Sequence, residues 1–261
     1  MYSLYLNNTP SPNKNINKMA NSITCYFNPP IELDPKKKWE MRLLQANIVY
    51  CSPNITSSNN VFSYVYNGVT HIHEFDTGLY SLVDINNQIG RWNVQDTNGI
   101  TLFSLQANEA TSTTIVYFST TGTSIDCTIA NTIMNILGFP ISSGHISAPT
   151  DSYVQSPNPI MLNALQQYLI SCSAINGIYQ NSQLSNILCG VPINCAPYSQ
   201  VQFQPIHPTR CTVFVNRIDM LTLTLLDQNG NQVDFTNEGN DTPENWNVRI
   251  TIEPTDMVGI L

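Results

Sequence analysis

The stretch 219–227, DMLTLTLLD, decides the fold class of this chain because its apolar and polar side chains alternate. The two alternating sets are Leu221, Leu223 and Leu225 on one side and Met220, Thr222 and Thr224 on the other. A period of two predicts a β-strand with one face against a core and the other toward solvent. The residues 227–230, DQNG, then favour a tight turn. We therefore predict a strand that ends in a turn.

Short runs of the same kind recur along the chain, bounded by Pro, Gly and Asn. VFSYVY (61–66) and VTHIHEF (69–75) are separated by Asn67-Gly68, which tolerates the positive φ angles of a hairpin turn, so they predict a β-hairpin. The other predicted strands are SITCYFN (22–28), WEMRLLQANIVYC (39–51), GITLFSLQA (99–107), TTIVYFS (113–119), ALQQYLISCS (164–173), QLSNILCGVPI (183–193), QVQFQPI (200–206), CTVFVN (211–216) and WNVRITIEP (246–254). Many short strands in succession are typical of a sandwich or jelly roll.

Two segments in the middle of the chain have helical spacing instead. LYSLVDINNQI (79–89) and CTIANTIMNILGF (127–139) place apolar residues three and four positions apart. Gly138 stands where the second helix would end. The apolar face of that helix would consist of Ile129, Ile133, Met134 and Leu137.

These patterns divide the chain into three parts. Residues 1–21 are rich in Asn, Ser, Pro and Lys and show no hydrophobic period, so we expect a flexible N-terminal arm that only a partner orders. Residues 22–66 and 150–261 are expected to form a jelly roll, and residues 67–149 an insertion subdomain with two short helices. The predicted fold class is all-β: a jelly-roll β-sandwich with a small α+β or β insertion in the middle of the chain.

The surface is polar without being strongly charged. Only 11% of the 261 residues are charged, well below the quarter usual in soluble chains, whereas 32 are Asn. The net charge of −8 argues against strong nucleic-acid binding, because phosphates are bound by clustered Lys and Arg. The run Lys36–Lys38 predicts a solvated turn between two strands, with a small patch touching nucleic acid as the alternative.

The cysteines predict buried free thiols rather than disulfides or a zinc site. They stand singly in mostly apolar contexts, with no CxxC and no zinc spacing. The seven are Cys25, Cys51, Cys127, Cys172, Cys189, Cys195 and Cys211. The first residues lack the apolar core of a signal peptide, and no run of 18 apolar residues could span a bilayer. We expect folding inside the cell, in a reducing compartment.

Few residues could carry chemistry. His71 and His73 share a face of a predicted strand, beside Glu74, and could form a metal pair. No third ligand can be assigned, because His145 and His207 lie far along the chain. Half-exposed histidines in a hairpin are the preferred interpretation.

Two further constellations are also weak. Cys172 or Cys211 with His207 could form a thiol-protease dyad, but the local signatures of those families are missing. Asp241 and Glu244 could bind calcium, but without EF-hand spacing a solvated loop is preferred. The acidic stretch around them consists of Asp227, Asp234, Glu238, Asp241 and Glu244.

The tryptophans favour core packing over ligand stacking. Trp39, Trp92 and Trp246 each begin or flank a predicted apolar strand. Stacking of sugars or bases would need clustered exposed aromatics, which the sequence alone does not show. We expect no catalytic residue, no cofactor and no metal.

The order of these segments resembles the penton (minor capsid) proteins of virophages and of Polinton-like and adintovirus-like viruses. That family has an "L-x-G-x-W-E-V-x-L" strand, a "G-x-Y" followed by a short helix ending in "I-N", and an "L-G-F" after another helix. The matching residues are Leu33, Trp39, Glu40 and Leu43, then Gly78, Tyr80, Ile85 and Asn86, then Leu137, Gly138 and Phe139. Lysines replace the usual small spacer before Trp39.

The resemblance continues through the C-terminal half. The family has a "Y-x-x-C/S" strand, a "V-P" strand and a long "F-x-x-I/L-x-I-x-I-x-D-x-x-G-x-x-V-x-F" strand pair before its last strand. The matching residues are Tyr168, Cys172, Val191, Pro192, Ile218, Leu221, Leu223, Leu225, Asp227, Gly230, Val233 and Phe235. The last strand lacks the family's "L-x-F-R" ending, and CSPNI replaces its "W-Y-N", so the genus of virus stays open.

The resemblance implies a structural protein of the virion, with no enzymatic activity. Five copies would form a homopentamer at each five-fold vertex of an icosahedral double-stranded DNA virus capsid. Their neighbours would be capsomers of the double jelly-roll major capsid protein. The alternative from a different class is a receptor- or glycan-binding β-sandwich of a viral fibre or spike. That alternative requires exposed aromatics around Trp92 or in the segment 140–160.

Overall fold

A computed structural model describes residues 1–7, 16–19, 21–147, 149, 152–162, 165–176, 178–180, 183–233, 235 and 246–255. The strands in chain order are β1 (Tyr2–Asn7), β2 (Ile16–Met19), β3 (Ser22–Glu32), β4 (Trp39–Val49), β5 (Val61–Tyr66), β6 (Val69–Glu74), β7 (Phe103–Asn108), β8 (Thr113–Phe118), β9 (Thr123–Asp126), β10 (His145–Ile146), β11 (Ser152–Gln155), β12 (Gln167–Cys172), β13 (Ile178–Gln180), β14 (Gln183–Ser185), β15 (Ile187–Pro192), β16 (Gln200–Phe203), β17 (Cys211–Val213), β18 (Arg217–Leu226) and β19 (Trp246–Pro254). One α-helix, α1 (Leu82–Thr97), and two 3₁₀ turns, Ile133–Asn135 and Ile141–Ser143, complete the described elements.

The chain divides into two compact units, and the first is a jelly roll. It consists of Met1–Ser52 and Leu165–Leu261. Sheet I has the strand order β1-β19-β4-β16, with β17 also paired to β4, and sheet II has the order β15-β12-β18-β3-β2. The hairpin β13–β14 adjoins sheet I, because Ile175 bridges to Val213 of β17.

The path of the chain between the sheets confirms the predicted fold class. Strands β3, β12, β15 and β18 belong to sheet II, and β4 and β17 belong to sheet I, whereas the β13–β14 hairpin is a separate two-stranded sheet whose preceding segment bridges to β17. With the hairpin counted beside sheet I, the chain passes between the sheets in the order II, I, II, I, I, II, I, II. This succession, with β3 beside β18 in one sheet, is that of an eight-stranded jelly roll. Strands β1, β2, β16 and β19 extend it.

The alternating stretch that opened the sequence analysis forms the centre of sheet II. Leu221, Leu223 and Leu225 are fully buried, whereas Met220 on the opposite face is exposed. Each buried leucine contributes about 1.5–3 kcal/mol relative to an exposed one. A shift of register by one residue would turn all three toward solvent, so the pattern fixes the register.

The second unit, Pro53–Ala164, contains a four-stranded sheet in the order β10-β9-β5-β6 and a three-stranded sheet in the order β11-β8-β7. Its core includes Phe62, Trp92 and Phe103. Helix α1 lies against β7, where Asn86 Oδ1 accepts a hydrogen bond of 2.6 Å from the Leu105 amide. The unit is an α+β insertion into the jelly roll.

The hairpin predicted from Asn67-Gly68 is confirmed. Both residues have positive φ angles, 48° and 78°, and Tyr66 pairs with Val69 across the turn. Because β5 pairs with β6, a boundary at 66/67 would cut this hairpin. The boundaries between the two units lie instead at 52/53 and 164/165. The insertion was expected to be 67–149, and the jelly roll 22–66 and 150–261.

The helix predicted over 79–89 is present but longer. Ser81 caps it and forms a capping box with Asp84. It ends at Asn98, whose φ of 58° is left-handed. The capping residues are recognisable in the sequence, but the residues after Ile89 are mostly polar and give no apolar period that would predict the last two turns.

The helix predicted over 127–139 is wrong in type. Only Ile133–Asn135 forms a helical turn, of 3₁₀ geometry. The reason lies at Asn131, whose left-handed φ of 57° interrupts any α-helix. Three of the four residues of the predicted apolar face, Ile133, Met134 and Leu137, are fully buried, whereas Ile129 is only half-buried.

The expectation of an N-terminal arm ordered only by a partner is corrected for Tyr2–Asn7. These residues pair with Ile252–Asn247 of β19, and Leu6 is buried. The segment YSLYLN has a short period of two that the polar residues after it obscured. Ile16–Met19 likewise pairs with β3. The other residues of the predicted arm, 8–15 and 20, lie outside the described part.

Candidate functional site

The outer face of sheet I carries a cluster of ion pairs. Arg42 Nη2 lies 2.7 Å from Glu253 Oε1 and 3.5 Å from Glu40 Oε2, and Arg210 Nη1 lies 3.7 Å from the same Glu40 oxygen. We call Glu40, Arg42, Arg210 and Glu253 the ion-pair cluster. Two acids balance two arginines, so the cluster has no net charge. Because charge-assisted hydrogen bonds have a fixed geometry, the cluster makes this face polar and orients its side chains.

The outer face of sheet II is uncharged at its centre. Tyr26 of β3 and Met220 of β18 lie directly opposite each other, 44% and 47% exposed. In the next row, the hydroxyls of Thr24 and Thr222 lie 3.0 Å apart. We call these four residues the uncharged face. Exposed apolar side chains side by side on a strand pair are suited to contact with another protein surface.

The insertion contains a cluster that the sequence indicated only in part. His71 and His73 of β6 face α1, where both approach the same carboxylate oxygen of Asp96. His73 Nε2 lies 2.7 Å from Asp96 Oδ2, and His71 Nδ1 lies 3.2 Å from it. The hydroxyl of Tyr64 donates a 2.5 Å hydrogen bond to this oxygen as well. We call these four residues the histidine cluster.

Aromatic rings hold both imidazoles in place. His73 stacks on Trp92 with ring centroids 4.6 Å apart, and His71 stacks on Tyr64 at 5.0 Å. The histidine, aspartate and tyrosine side chains are thus fixed by packing as well as by hydrogen bonds. Such a network is a structural clamp between the β5–β6 hairpin and α1.

The electrostatics of the cluster follow from Asp96. Burial acts to raise the pKa of this carboxyl, but the hydrogen bonds from Tyr64 and His73 and the charges on the two imidazoles outweigh it. The pKa of Asp96 is therefore held below its usual value of 3.8. Burial, the hydrogen bond to Asp96 and its negative charge raise the pKa of Tyr64, which stays protonated. Asp96 is thus an ionised acceptor and Tyr64 a donor at neutral pH.

Sequence reasoning missed two members of the cluster, Tyr64 and Asp96, and Asp96 was the harder to find. It lies more than twenty residues after His73, on a different type of element, and no local pattern connects the two. Glu74, the predicted neighbour, is exposed. His145 lies 3.8 Å from Asp126 instead, and His207 is exposed. Within the described ranges, no group of three or more His, Cys, Asp or Glu side chains is arranged to hold a metal ion.

The suggested thiol-protease dyad is not supported by the state of its thiols. Burial raises the pKa of Cys172 to about 12 and that of Cys211 to about 11. A thiol nucleophile requires the opposite shift. Cys172 Sγ contacts Met41 Sδ at 3.5 Å, and Cys211 Sγ lies 3.6 Å from the Leu188 carbonyl oxygen. All seven cysteines are free, as predicted, but Cys189 and Cys195 are only partly buried.

The charged segments noted in the sequence have local structural roles where they are described. Lys36–Lys38 are exposed in the β3–β4 turn, and the Lys36 amide donates to Asp34 Oδ1 at 3.0 Å. Asp227 Oδ1 accepts hydrogen bonds from the amides of Asn229 and Asn231, each 2.8 Å long, which closes the turn after β18. The other members of the acidic stretch, Asp234, Glu238, Asp241 and Glu244, lie outside the described residues.

The tryptophans pack in or beside the core as predicted, although Trp92 lies within helix α1 and not at a strand. Trp246 and Trp92 are buried, and Trp39 is half-buried with Nε1 donating to the Asp34 carbonyl oxygen at 3.1 Å. No helix within the described residues is both long and apolar enough to cross a membrane.

No family model matches this chain, and no curated protein matches it. Among solved structures, the chain is similar to the crystal structure of the mavirus penton protein, with a TM-score of 0.52 and 11% sequence identity. The match covers 97% of this chain and 100% of that chain, so the jelly roll and the insertion are both included. The resemblance inferred from the sequence is therefore confirmed at the level of the fold: this chain has the fold of the mavirus penton protein.

Proposed function

We propose that this protein is the penton subunit of a virophage-like icosahedral double-stranded DNA virus, a structural protein without enzymatic activity. The observation that carries the proposal is the match to the mavirus penton protein over essentially the whole of both chains. A jelly roll alone is shared by many unrelated proteins. A jelly roll interrupted by an α+β unit, matched from end to end, is a much narrower likeness.

Five copies form a closed ring at the five-fold vertex and contact capsomers of the double jelly-roll major capsid protein in the virion. A cyclic ring requires two different surfaces that meet head to tail. The two faces of the sandwich differ in this way: one carries the ion-pair cluster and the other the uncharged face. Each copy carries a net charge of −8, and contact through uncharged side chains limits the repulsion between copies.

The chemistry of the chain is consistent with a passive shell subunit. The most buried thiols have raised pKa values, and the histidine cluster is engaged in hydrogen bonds and ring stacking. Free thiols also suit assembly in a reducing compartment of the host cell. We propose no catalytic residue, cofactor or metal site, and no strong binding to nucleic acid.

Native mass spectrometry over a range of concentrations tests the proposal. We expect a concentration-dependent species of five times the chain mass of 29.1 kDa. Tyr26→Glu and Met220→Glu place a carboxylate on the uncharged face and are expected to weaken the pentamer. Val83→Glu is the matched control, because Val83 is 66% exposed on α1 of the insertion. A strictly monomeric protein at high concentration and physiological salt would contradict the proposal.

A further inference from the structure

The outer face of the three-stranded sheet of the insertion brings together an exposed and a half-buried tyrosine. Tyr117 of β8 and Tyr153 of β11 lie directly opposite each other, with ring centroids 5.7 Å apart. Tyr153 is 58% exposed and Tyr117 half-buried. Val116 and Phe118, the neighbours of Tyr117 in sequence, are buried in the core, so the tyrosine lies on the opposite side of the sheet.

Four further side chains flank the two rings on this face. Strand register places Tyr153, Tyr117 and Ser104 in one row and Gln155, Ile115 and Gln106 in the next. We call these six residues the tyrosine face. None of them is charged, although residues 53–164 contain seven carboxylates and a single cation, Arg91. The face is thus a neutral area on the most acidic part of the chain.

The polar groups beside the rings are arranged to bind hydroxyl groups. Gln155 Nε2 donates to the hydroxyls of Thr111 and Thr113, at 3.1 and 2.9 Å, which fixes this side chain. Its carbonyl oxygen is left to accept a hydrogen bond from a ligand hydroxyl. Gln106, exposed at the other end of the row, offers a donor and an acceptor.

We infer that the tyrosine face binds a neutral glycan. The apolar C–H face of a hexose or N-acetylhexosamine ring packs on an aromatic ring, whose π-face is negative, while the flanking amides bond to the sugar hydroxyls. The fibre-like alternative required exposed aromatics around Trp92 or in the segment 140–160. One of the two tyrosines lies in the segment 140–160 where they were sought.

Size favours a sugar over a protein partner. Three strands and two rows of side chains cover roughly 10 Å by 7 Å, from the usual strand and residue spacings. A specific protein interface buries about 800 Å² on each partner, so it would have to extend well beyond these six residues. The patch matches one or two sugar rings.

Charge selects among ring-shaped ligands. Nucleic-acid bases also stack on tyrosine, but their phosphates require cations, and this unit has one arginine among seven carboxylates. The same acidic field disfavours sialylated and sulfated glycans. A neutral sugar is not repelled by these carboxylates.

The test combines an array of immobilised oligosaccharides with saturation-transfer NMR, which detects millimolar binding by a monomer as well as by an oligomer. The full-length protein is compared on neutral, sialylated and sulfated oligosaccharides. We expect binding to neutral oligosaccharides ending in a hexose or N-acetylhexosamine. Tyr153→Ala should reduce it at least about tenfold, the usual effect of removing one stacking aromatic. Tyr153→Phe retains the ring and should stay within about threefold of the unchanged protein.

The matched control is Tyr5→Ala, because Tyr5 is also an outward-facing strand tyrosine, 62% exposed, in the jelly roll. It should bind neutral glycans as the unchanged protein does. Thermal unfolding of each variant verifies that the fold is kept. The native mass of each variant distinguishes this inference from the proposed vertex role. A pentamer that binds no glycan would contradict only this inference, and a monomer that binds glycan would contradict only the vertex role.

Three results would overturn the inference. The first is no binding to any neutral oligosaccharide by either method. The second is binding that Tyr153→Ala leaves unchanged. The third is a loss of the oligomer in Tyr153→Ala without a change in glycan binding, which would make the tyrosine face a contact between copies.

Discussion

His73 and Asp96 join the β5–β6 hairpin to helix α1, with Nε2 of the imidazole 2.7 Å from Oδ2 of the carboxylate. Tyr64 and His71 converge on the same oxygen. Because one carboxylate serves three side chains, its charge state controls the whole histidine cluster. The insertion therefore contains a site whose stability depends on pH.

The replacement Asp96→Asn should destabilise the insertion by about 1–3 kcal/mol at pH 7, the cost of removing a partly buried ionic acceptor. The pKa of Asp96 is lowered by folding, so its contribution is present above the unfolded value near 3.8 and is lost as the pH falls below it. The difference between the two proteins should therefore shrink below about pH 4. Hydrogen exchange of peptides from α1, measured as a function of urea concentration, gives this difference in the free energy of unfolding.

Glu74→Gln is the control for this prediction, because Glu74 adjoins His73 in sequence but is exposed. We expect a change within about 0.5 kcal/mol at either pH, as for most surface substitutions. An Asp96→Asn variant as stable as the unchanged protein at pH 7 would show that the histidine cluster does not hold the hairpin to the helix.

Gly138 and Gly144 offer a matched pair of substitutions in the insertion. Both have positive φ angles, 88° and 64°, but a Cβ at Gly138 would lie 2.2 Å from the carbonyl oxygen of Asn158, whereas a Cβ at Gly144 meets open space. Gly144 has φ 64° and ψ −131°, outside the left-handed α well, so Gly144→Ala should cost the backbone strain alone, about 1–3 kcal/mol. Gly138→Ala must also displace backbone, so we expect a loss of at least about 3 kcal/mol. The free energy of unfolding of each variant decides this; equal losses would contradict it.

Local patterns predicted local structure well. The turn at Asn67-Gly68 and the alternation of Leu221, Leu223 and Leu225 were sufficient, because each depends on neighbours in sequence. The α-helix predicted over 127–139 was wrong, because an apolar period of three to four does not reveal the left-handed conformation of Asn131. Its buried face was right and its helix type wrong.

Long-range contacts could not be predicted in this way. Asp96 meets His73 from another element, and Tyr153 meets Tyr117 only through the register of β8 and β11. Neither contact can be predicted from the spacing of residues along a single sequence. The histidine cluster was therefore half identified and the tyrosine face not at all.

The N-terminal strand provides a third prediction. Leu6 of β1 is 5% exposed, whereas Tyr5 beside it is 62% exposed. If Tyr2–Asn7 belongs to the fold, Leu6→Ala should lower the free energy of unfolding by about 2–3 kcal/mol, as for other buried leucines. Tyr5→Ala should change it by less than about 0.5 kcal/mol. Chemical denaturation of the isolated protein measures both, and equal stability of the two variants would restore the view of β1 as an arm without a role in the fold.

The thiols distinguish a shell subunit from a hidden hydrolase. Alkylation requires the thiolate, and burial raises the pKa of Cys172 to about 12, well above pH 8, so this thiol stays protonated in the folded protein. We therefore expect iodoacetamide at pH 8 to modify the partly buried Cys195 and Cys189 first, and to leave Cys127, Cys172 and Cys211 unmodified until the protein unfolds. Peptide mass spectrometry reads each site, and all seven should react in concentrated guanidinium. His207→Ala should not change the rate at Cys172, since burial of the thiol governs that rate. Rapid modification of Cys172 in the folded protein, slowed by His207→Ala, would instead identify an activated nucleophile and remove the basis for a purely structural role.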